Sequence, residues 1–338
     1  MYEPNFENLI KVLECQIPDR PTLFEFFLNK PLYEKLAGRE IAGRTDRLAE
    51  YRLLIHAFKN AGYDYATVHG SAFGFPTDTV ITKKTRSLNQ GTVIHNRENF
   101  DQYDWQDPTD FDYSCLKDIE DELPDGMKLI VYGPGGVLEN VTALVGYDNL
   151  CYMLYEDPGL VEDIFEAVGS GLVKYYEICG KFDTVGALIS NDDWGFKTQP
   201  MMSPSQMRKY VFPWHKRIVE TIHGCGKPAI LHSCGNFNNM MDEVIDDLKY
   251  DGKHSYEDTI LPVEEAYERW VGRIAILGGI DLDFVCRSSH EEIKKRSCAM
   301  LQRSADRGGY ALGTGNSVPE YVPNDNYFAM TSAVLDNR

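Results

Sequence analysis

Short apolar runs alternate with longer amphipathic segments along the whole chain. The runs are rich in β-branched and aromatic residues and are bounded by Gly, Pro or Asp, a pattern typical of buried strands. Strands that alternate with helical segments in this way predict parallel β/α units. Eight strands are predicted, over Thr22–Phe27, Asp64–His69, Lys128–Tyr132, Val185–Ser190, Ala229–His232, Leu248–Asp251, Arg273–Leu277 and Tyr310–Leu312.

The segments between these runs carry helix signals. Arg44–Ala61 has apolar residues at helical spacing on one face, and Asp157–Cys179 has a proline in its first turn and a glycine after its last residue. Ser203 precedes a proline and is predicted to cap a helix that breaks near Pro213. Ser288–Arg303 predicts a further helix with acids in its first turn.

The number of strands predicts a single (β/α)8 TIM barrel over residues 1–338, with an elaborated N-terminal region. Residues 73–124 are long, aromatic and acidic, and they are interpreted as a loop excursion over the barrel mouth after the second strand. The alternative is an open doubly wound sheet, which normally has a glycine-rich phosphate loop after its first strand. No such loop follows residue 27, so the barrel is favoured.

Charge limits the classes of partner. Lys and Arg number 34 and Asp and Glu number 52, which gives a formal net charge of −18. A strongly acidic protein binds nucleic acids and anionic membranes poorly, because they carry the same charge. The chain has no apolar run of about 18 residues. It also lacks a signal-peptide pattern at its start and a C-x-x-C pair, which together predict a cytoplasmic protein with free thiols.

Active sites of β/α barrels lie at the C-terminal ends of the strands. Polar and aromatic residues follow nearly every predicted strand here, and together they form the candidate site. The candidates are Glu25, His69, Tyr132, Asn191, Asp192, Asp193, Trp194, His232, Cys234, His254, Tyr256, Asp281 and Asn316.

Two groups among these candidates suggest specific chemistry. His232 and Cys234 lie two residues apart at a strand end, so their side chains can point the same way, and their donor atoms suit zinc. The alternative is a buried histidine beside a structural cysteine. Asp192 and Asp193 can transfer protons, orient a histidine or hold a cation, whereas the alternative is a capping or turn role. Trp194 would raise a carboxyl pKa by desolvation.

The stretches Ile189–Gly195, Ser203-Pro204, Lys227–Asn236, Leu277–Asp281 and Gly308–Pro319 together resemble the uroporphyrinogen decarboxylase superfamily. The resemblance extends from about residue 20 to residue 330 and implies the barrel fold. It also implies one of two activities, which are decarboxylation of a tetrapyrrole and methyl transfer with corrinoid proteins. Its decarboxylases hold the substrate carboxylates with an Arg-rich N-terminal segment. Residues 21–29 contain no arginine here, and the chain is acidic, which favours the methyltransferase branch.

Thiol-methylating members of that branch bind zinc through a His-x-Cys pair and a later cysteine. His232 and Cys234 match the pair, but the stretch that contains Asn316 stands where the later cysteine belongs. The resemblance therefore leaves the rest of a zinc site open. The candidates for a further ligand are Glu25, His69, His254, Asp192 and Asp193.

The resemblance implies a methyltransferase that moves a methyl group between a small O-, N- or S-methylated substrate and a corrinoid (cobalamin) carried by a partner protein. In this hypothesis Asp193 and Asp192 orient or protonate groups and His254 acts as an acid. Tyr132, Trp194 and Tyr256 line the substrate pocket. The excursion 73–124 covers the site or receives the corrinoid domain. The hypothesis is also compatible with a homodimer. The alternatives are a decarboxylase or lyase acting on a small acid, and a non-catalytic protein that binds a corrinoid or tetrapyrrole.

Overall fold

The computed structural model describes residues 3–78 and 87–338. Its centre is one all-parallel sheet of seven strands, and each strand pairs with the next one along the chain. The strands are β1 Tyr65–His69, β2 Lys128–Tyr132, β3 Val185–Asn191, β4 Ala229–His232, β5 Gly252–His254, β6 Ala275–Leu277 and β7 Tyr310–Ala311. Sequential parallel pairing brings all C-terminal strand ends to one side of the sheet.

Helices fill the connections and cover the outer face of the sheet. The helices before β2 are α1 Glu7–Leu13, α2 Lys30–Ala37, α3 Arg39–Ala42, α4 Ala49–Asn60, α5 Arg97–Gln102 and α6 Ser114–Asp118. Those that follow are α7 Val137–Val145, α8 Tyr147–Glu156, α9 Pro158–Cys179, α10 Pro204–Gln206, α11 Phe212–Gly224, α12 Val263–Trp270, α13 Leu282–Arg287, α14 His290–Ser304 and α15 Asn324–Leu335. Short 3₁₀ turns span Pro108–Asp110, Glu120–Glu122 and Asn238–Met240, and π-helical turns span Met207–Val211 and Glu243–Asp247.

The predicted first strand, Thr22–Phe27, is not a strand in the structure. Its backbone makes only isolated bridges, between Leu23 and Leu312 and between Leu28 and Val318. On its other side it meets β1 through a side chain, because the hydroxyl of Thr67 donates to the Phe26 carbonyl at 2.6 Å. This segment therefore fills the space between β7 and β1 without forming a ladder with β1. The parallel α/β architecture predicted from the sequence is confirmed, with seven strands in a curled, barrel-like sheet.

Two other predicted elements shift. The strand predicted over Leu248–Asp251 begins four residues later, as β5, because the π-helical turn Glu243–Asp247 and the positive φ of Lys249, 63°, keep that stretch curved. The helix predicted over Arg44–Ala61 begins only at Ala49. Asp157 caps α9 as predicted, its side chain accepting from the Leu160 N–H, and the break near Pro213 is the π turn before α11.

The excursion 73–124 packs against the outside of the sheet through helix α9. The ring of Phe73 stacks on Tyr175 with centroids 5.9 Å apart. The Leu116 carbonyl accepts from the Thr184 hydroxyl at 2.5 Å, beside the start of β3. Residues 79–86 of the excursion lie outside the described residues. Among the helices at 3–78 and 87–338, none combines the length and the apolar character needed to cross a bilayer.

Candidate active site

Three of the predicted site residues bring ligand atoms together at the C-terminal ends of β3 and β4. One carboxylate oxygen of Asp193, one ring nitrogen of His232 and the sulfur of Cys234 all lie within 4.8 Å of one another. His232 ends β4, Cys234 is the second residue of the loop that follows, and Asp193 follows β3, the neighbouring strand. Nitrogen, sulfur and oxygen donors in a group of three fit a catalytic zinc site, in which a fourth position is open to substrate. These residues could therefore hold a zinc ion.

Hydrogen bonds fix the sulfur and the carboxylate of this cluster. The Cys234 backbone N–H donates to Asp193 Oδ1 at 3.0 Å. The side-chain amide of Asn316 donates to Cys234 Sγ at 3.2 Å. Burial, and then the charge of Asp193, raise the pKa of the Cys234 thiol to about 12. Because a metal binds the thiolate, metal binding here must displace the thiol proton.

His232 and His254 form a buried pair on adjacent strands. Their Nδ1 atoms lie 2.8 Å apart, and His232 Nε2 lies 3.7 Å from Cys234 Sγ. His254 Nε2 faces the Thr314 carbonyl at 3.4 Å. Burial lowers the pKa of His254 to about 3 and that of His232 well below its usual range, so both rings are neutral near pH 7. Both ring nitrogens of His254 are thus engaged inside the protein.

Glu25 is fully buried, and among the described residues the hydrogen bonds of its carboxylate go to Thr314. Its carboxylate accepts from the Thr314 backbone N–H at 2.6 Å and is 2.8 Å from the Thr314 hydroxyl. Burial raises the pKa of Glu25 to about 8, despite the lowering effect of these bonds. Since its oxygens are used in this way, Glu25 supports the loop of residues 313–317 and does not reach the Asp193–Cys234 cluster.

Asp192 points away from the cluster formed by its neighbour Asp193. Its carboxylate accepts from the backbone N–H groups of Leu138 and Glu139, at 2.9 and 2.8 Å, in the first turn of α7. It also bonds to Trp194 Nε1 at 2.9 Å and to His215 Nε2 at 2.8 Å. The N-terminal turn of a helix favours a negative charge, so this fully buried carboxylate is well stabilised.

Trp194 belongs to the same buried network. Its ring is fully buried and packs edge-on against His215, with centroids 4.8 Å apart. His215 in turn bonds to the Tyr250 hydroxyl through Nδ1 at 2.7 Å. Trp194 therefore lies in the packing layer outside β3, while Asp193 faces the site.

Several predicted substrate-binding residues line two cavities beside the metal-ligand cluster. Tyr256, Asp281 and Asn316 line a cavity of about 710 Å³ next to the ends of β5, β6 and β7. Asp281 also caps α13, accepting from the Phe284 N–H at 3.1 Å. Tyr132 lines a second cavity of about 590 Å³ on the opposite side, beside α2 and α4.

The remaining predicted residues, His69 and Asn191, line neither of these two cavities. His69 is exposed at the end of β1, and its ring lies 4.0 Å from that of Tyr132. Asn191 pairs with His232 across β3 and β4, and its side-chain oxygen is buried without a hydrogen-bond partner. His69 is not among the three residues whose ligand atoms lie within 4.8 Å of one another.

Sequence reasoning missed two groups near the site. Glu139 follows Gly-Pro-Gly-Gly in α7, and with Asp193 it lines a cavity of about 200 Å³. Burial, and then the charges of Asp192 and Asp193, raise the pKa of Glu139 to about 8. Lys253 is buried on the outer side of β5, where its ammonium group lies 4.0 Å from the centre of the Tyr256 ring and donates to the Ser255 carbonyl. Burial lowers the pKa of Lys253 to about 7.

Comparison with known proteins places the chain in a family. The sequence profile described as uroporphyrinogen decarboxylase (URO-D) matches residues 65–336. The chain belongs to the uroporphyrinogen decarboxylase family. Two proteins named uroporphyrinogen decarboxylase, from Anaeromyxobacter sp. strain Fw109-5 and Anaeromyxobacter dehalogenans strain 2CP-C, are 25% and 24% identical to it over 189 residues. Each match covers 56% of this chain, and it spans only about half, 51%, of the length of these curated relatives.

A solved structure confirms the architecture of this family member. A methyltransferase from Methanosarcina mazei superimposes with a TM-score of 0.72, over 99% of both chains and at 15% sequence identity. At that identity the likeness establishes the shared fold alone.

Proposed function

We propose that this chain is a methyltransferase that moves a methyl group between a small methylated compound and a corrinoid carried by a partner protein, with zinc in its active site. One observation carries the proposal, namely that the ligand atoms of Asp193, His232 and Cys234 converge at the C-terminal ends of β3 and β4. The solved methyltransferase with the same fold supports it. Zinc held by these three residues would supply a Lewis acid that keeps a thiol deprotonated or polarises the group losing its methyl.

The residues of the chain prepare this site in three ways. The Asn316 amide stabilises negative charge on the Cys234 sulfur, because it donates a hydrogen bond at 3.2 Å. The Cys234 N–H holds Asp193 in place. Asn316 also lines the cavity of about 710 Å³, so a small O-, N- or S-methyl compound in that cavity lies next to the sulfur ligand. The cavity beside α2 and α4 gives a second approach to the strand ends, from the side of Tyr132.

A tetrapyrrole decarboxylase is the second candidate, because the family and both relatives carry that name. The charges of the site disfavour it. Four acids, Glu257, Asp258, Asp281 and Asp283, line the cavity of about 710 Å³ and outnumber its two bases, Lys197 and Arg287, of which Arg287 is bound to Asp283 at 2.6 Å. Such a surface repels a polycarboxylate substrate. Residues 21–29, the segment before α2, contain no arginine that could bind such carboxylates.

The experiment is a metal and activity analysis of the purified chain. We expect about one zinc per chain, and demethylation of methylcobalamin by a thiol, or methylation of cob(I)alamin from a panel of O-, N- and S-methyl compounds. Cys234→Ser should abolish zinc binding and methyl transfer, whereas Cys151→Ser, on an exposed thiol of α8, should preserve both. Full activity of metal-free protein would contradict the zinc assignment. Carbon dioxide release from a porphyrinogen without any methyl transfer would favour the decarboxylase.

A further inference from the structure

The contact between His232 and His254 constrains where the protons lie. The two Nδ1 atoms are 2.8 Å apart, which is a hydrogen-bond distance, and both rings are buried. A hydrogen bond between two imidazole nitrogens needs one N–H and one lone pair. One of the two rings must therefore be protonated on Nδ1, and the other must not.

The other nitrogen of His254 shows which ring carries the proton. His254 Nε2 faces the carbonyl oxygen of Thr314 at 3.4 Å. A carbonyl oxygen can only accept, so Nε2 of His254 carries its hydrogen. Since a neutral imidazole has one N–H, Nδ1 of His254 presents a lone pair. His232 must then donate from Nδ1, and its Nε2, which lies 3.7 Å from Cys234 Sγ, is left as a lone pair.

The Thr314 carbonyl, which shows that Nε2 of His254 carries a hydrogen, is itself held in a fixed position. It also accepts from the Gly279 backbone N–H at 2.8 Å, so both of its lone pairs are used. The backbone N–H and hydroxyl of Thr314 are bound to Glu25. At Gly278, which has a φ of 69°, a side-chain carbon would lie 2.3 Å from the Thr314 oxygen and 3.0 Å from His254 Cδ2. Glycine at this position allows the carbonyl and the ring to approach each other.

We propose that His254 is a positioning residue that fixes the tautomer of His232, so that Nε2 of His232 always presents a lone pair to the Asp193–Cys234 cluster. The use of that lone pair by zinc rests on the proposed function, whereas the tautomer itself does not. The opposite tautomer would place a hydrogen on His232 Nε2, between the ring and the sulfur, and would block metal binding. His254 thereby acts on the metal site without being a ligand.

The test is nuclear magnetic resonance of metal-free protein labelled with ¹⁵N on its eight histidines. In the native chain we expect His232 to be protonated on Nδ1 and His254 on Nε2. Asn and Leu have similar size, but only Asn keeps an acceptor near the position of Nδ1. His254→Asn should therefore preserve the His232 tautomer and keep zinc affinity within about threefold, measured by competition with a chromophoric chelator. His254→Leu should release the tautomer and weaken zinc binding at least tenfold.

The buried His215 provides an internal control, because its partners are Asp192 and Tyr250, and its tautomer should not change in either variant. A native His232 protonated on Nε2 overturns the proposal, as does an unchanged tautomer in a folded His254→Leu protein. Should that variant fail to fold, the native protein and His254→Asn decide together, because His232 protonated on Nε2 in either of them overturns the proposal. Failure to bind zinc with the expected tautomer would reject the proposed function and leave this inference intact.

Discussion

Glu25 and Thr314 are joined by two hydrogen bonds, at 2.6 and 2.8 Å, although 289 residues separate them in the chain. The pair connects the segment before α2 to the loop after β7, in the region between β7 and β1. Because the carboxyl is fully buried, its ionisation opposes folding. The pair is therefore both a structural connection and a source of pH dependence.

Glu25→Gln should make the protein more resistant to rising pH. The pKa of Glu25 is raised to about 8 in the folded chain, so between about pH 4.5 and 8 the unfolded chain loses its proton first, and stability falls as pH rises. Gln keeps an acceptor for the Thr314 N–H and removes the titration. The variant should gain stability over the native chain through this window, reaching on the order of 3 kcal/mol at pH 8. Urea unfolding at several pH values measures it, with Glu156→Gln on the exposed end of α8 as the control.

Lys253→Met should show the opposite trend with pH. Burial lowers the pKa of Lys253 to about 7, so as pH falls from about 10.5 to 7 the unfolded chain takes up a proton that the folded chain does not. The native chain loses stability through that window, by up to about 1.4 kcal/mol per pH unit, and the variant does not. Lys30→Met, on a side chain that is 80% exposed, should leave the pH dependence unchanged. Parallel unfolding curves for Lys253→Met and native protein from pH 7 to 10 would contradict the assignment.

Trp194→Phe should destabilise the fold more than a similar change elsewhere. It leaves the buried Asp192 carboxylate without the Nε1–H donor and creates a cavity against His215. The expected loss is about 2–4 kcal/mol in the free energy of unfolding. The matched control is Trp214→Phe, at a partly buried ring that contacts Arg217, where about 1 kcal/mol or less is expected. Equal losses in the two variants would show that the Asp192 network contributes little.

Asp193→Asn tests the third ligand. The amide oxygen can still accept from the Cys234 N–H, so the folded structure without metal should be nearly as stable as the native one. Zinc affinity should fall at least tenfold, about 1.4 kcal/mol, because the carboxylate charge is lost. Asp281→Asn is the control, since this residue also caps a backbone N–H at a strand end but lies outside the three-residue cluster. Unchanged zinc binding in Asp193→Asn would remove Asp193 from the site.

The regular strands and helices were predictable because the hydrophobic pattern or capping residue that indicates each of them lies within or next to that element. The bounds of β2 and β4 agree with the apolar runs at Lys128–Tyr132 and Ala229–His232, and Asp157 caps its helix as its side chain suggests. The segment 22–27 has the same apolar pattern but forms no strand. On one side this segment bonds to side chains of β1, such as Thr67, instead of to the backbone of β1. The local hydrophobic pattern cannot distinguish this arrangement from a ladder of backbone hydrogen bonds.

The sequence predicted the site only where its residues lie close together in the chain. His232 and Cys234 stand two residues apart, and the structure brings their ligand atoms together. Asp192 and Asp193 are adjacent, but the pattern could not tell which one faces inward. That choice depends on the N-terminal turn of α7, more than fifty residues away, which binds Asp192. Separation along the chain also hides Glu139 and the partners of His215, Asp192 and Tyr250, which are 23 and 35 residues from it.

The order of the strands has a consequence for folding during synthesis. Every strand pairs with the one made just before it, so β1 to β6 can assemble while the ribosome is still extending the chain. The segment at 22–28 must wait, because its backbone partners, Leu312 and Val318, lie after β7 in the chain. Until then Glu25 lacks Thr314, and His254 lacks the carbonyl that orients it. The candidate site is therefore completed only after the residues that follow β7 have been made, and a ribosome stalled before residue 314 would hold most of the sheet with an unfinished site.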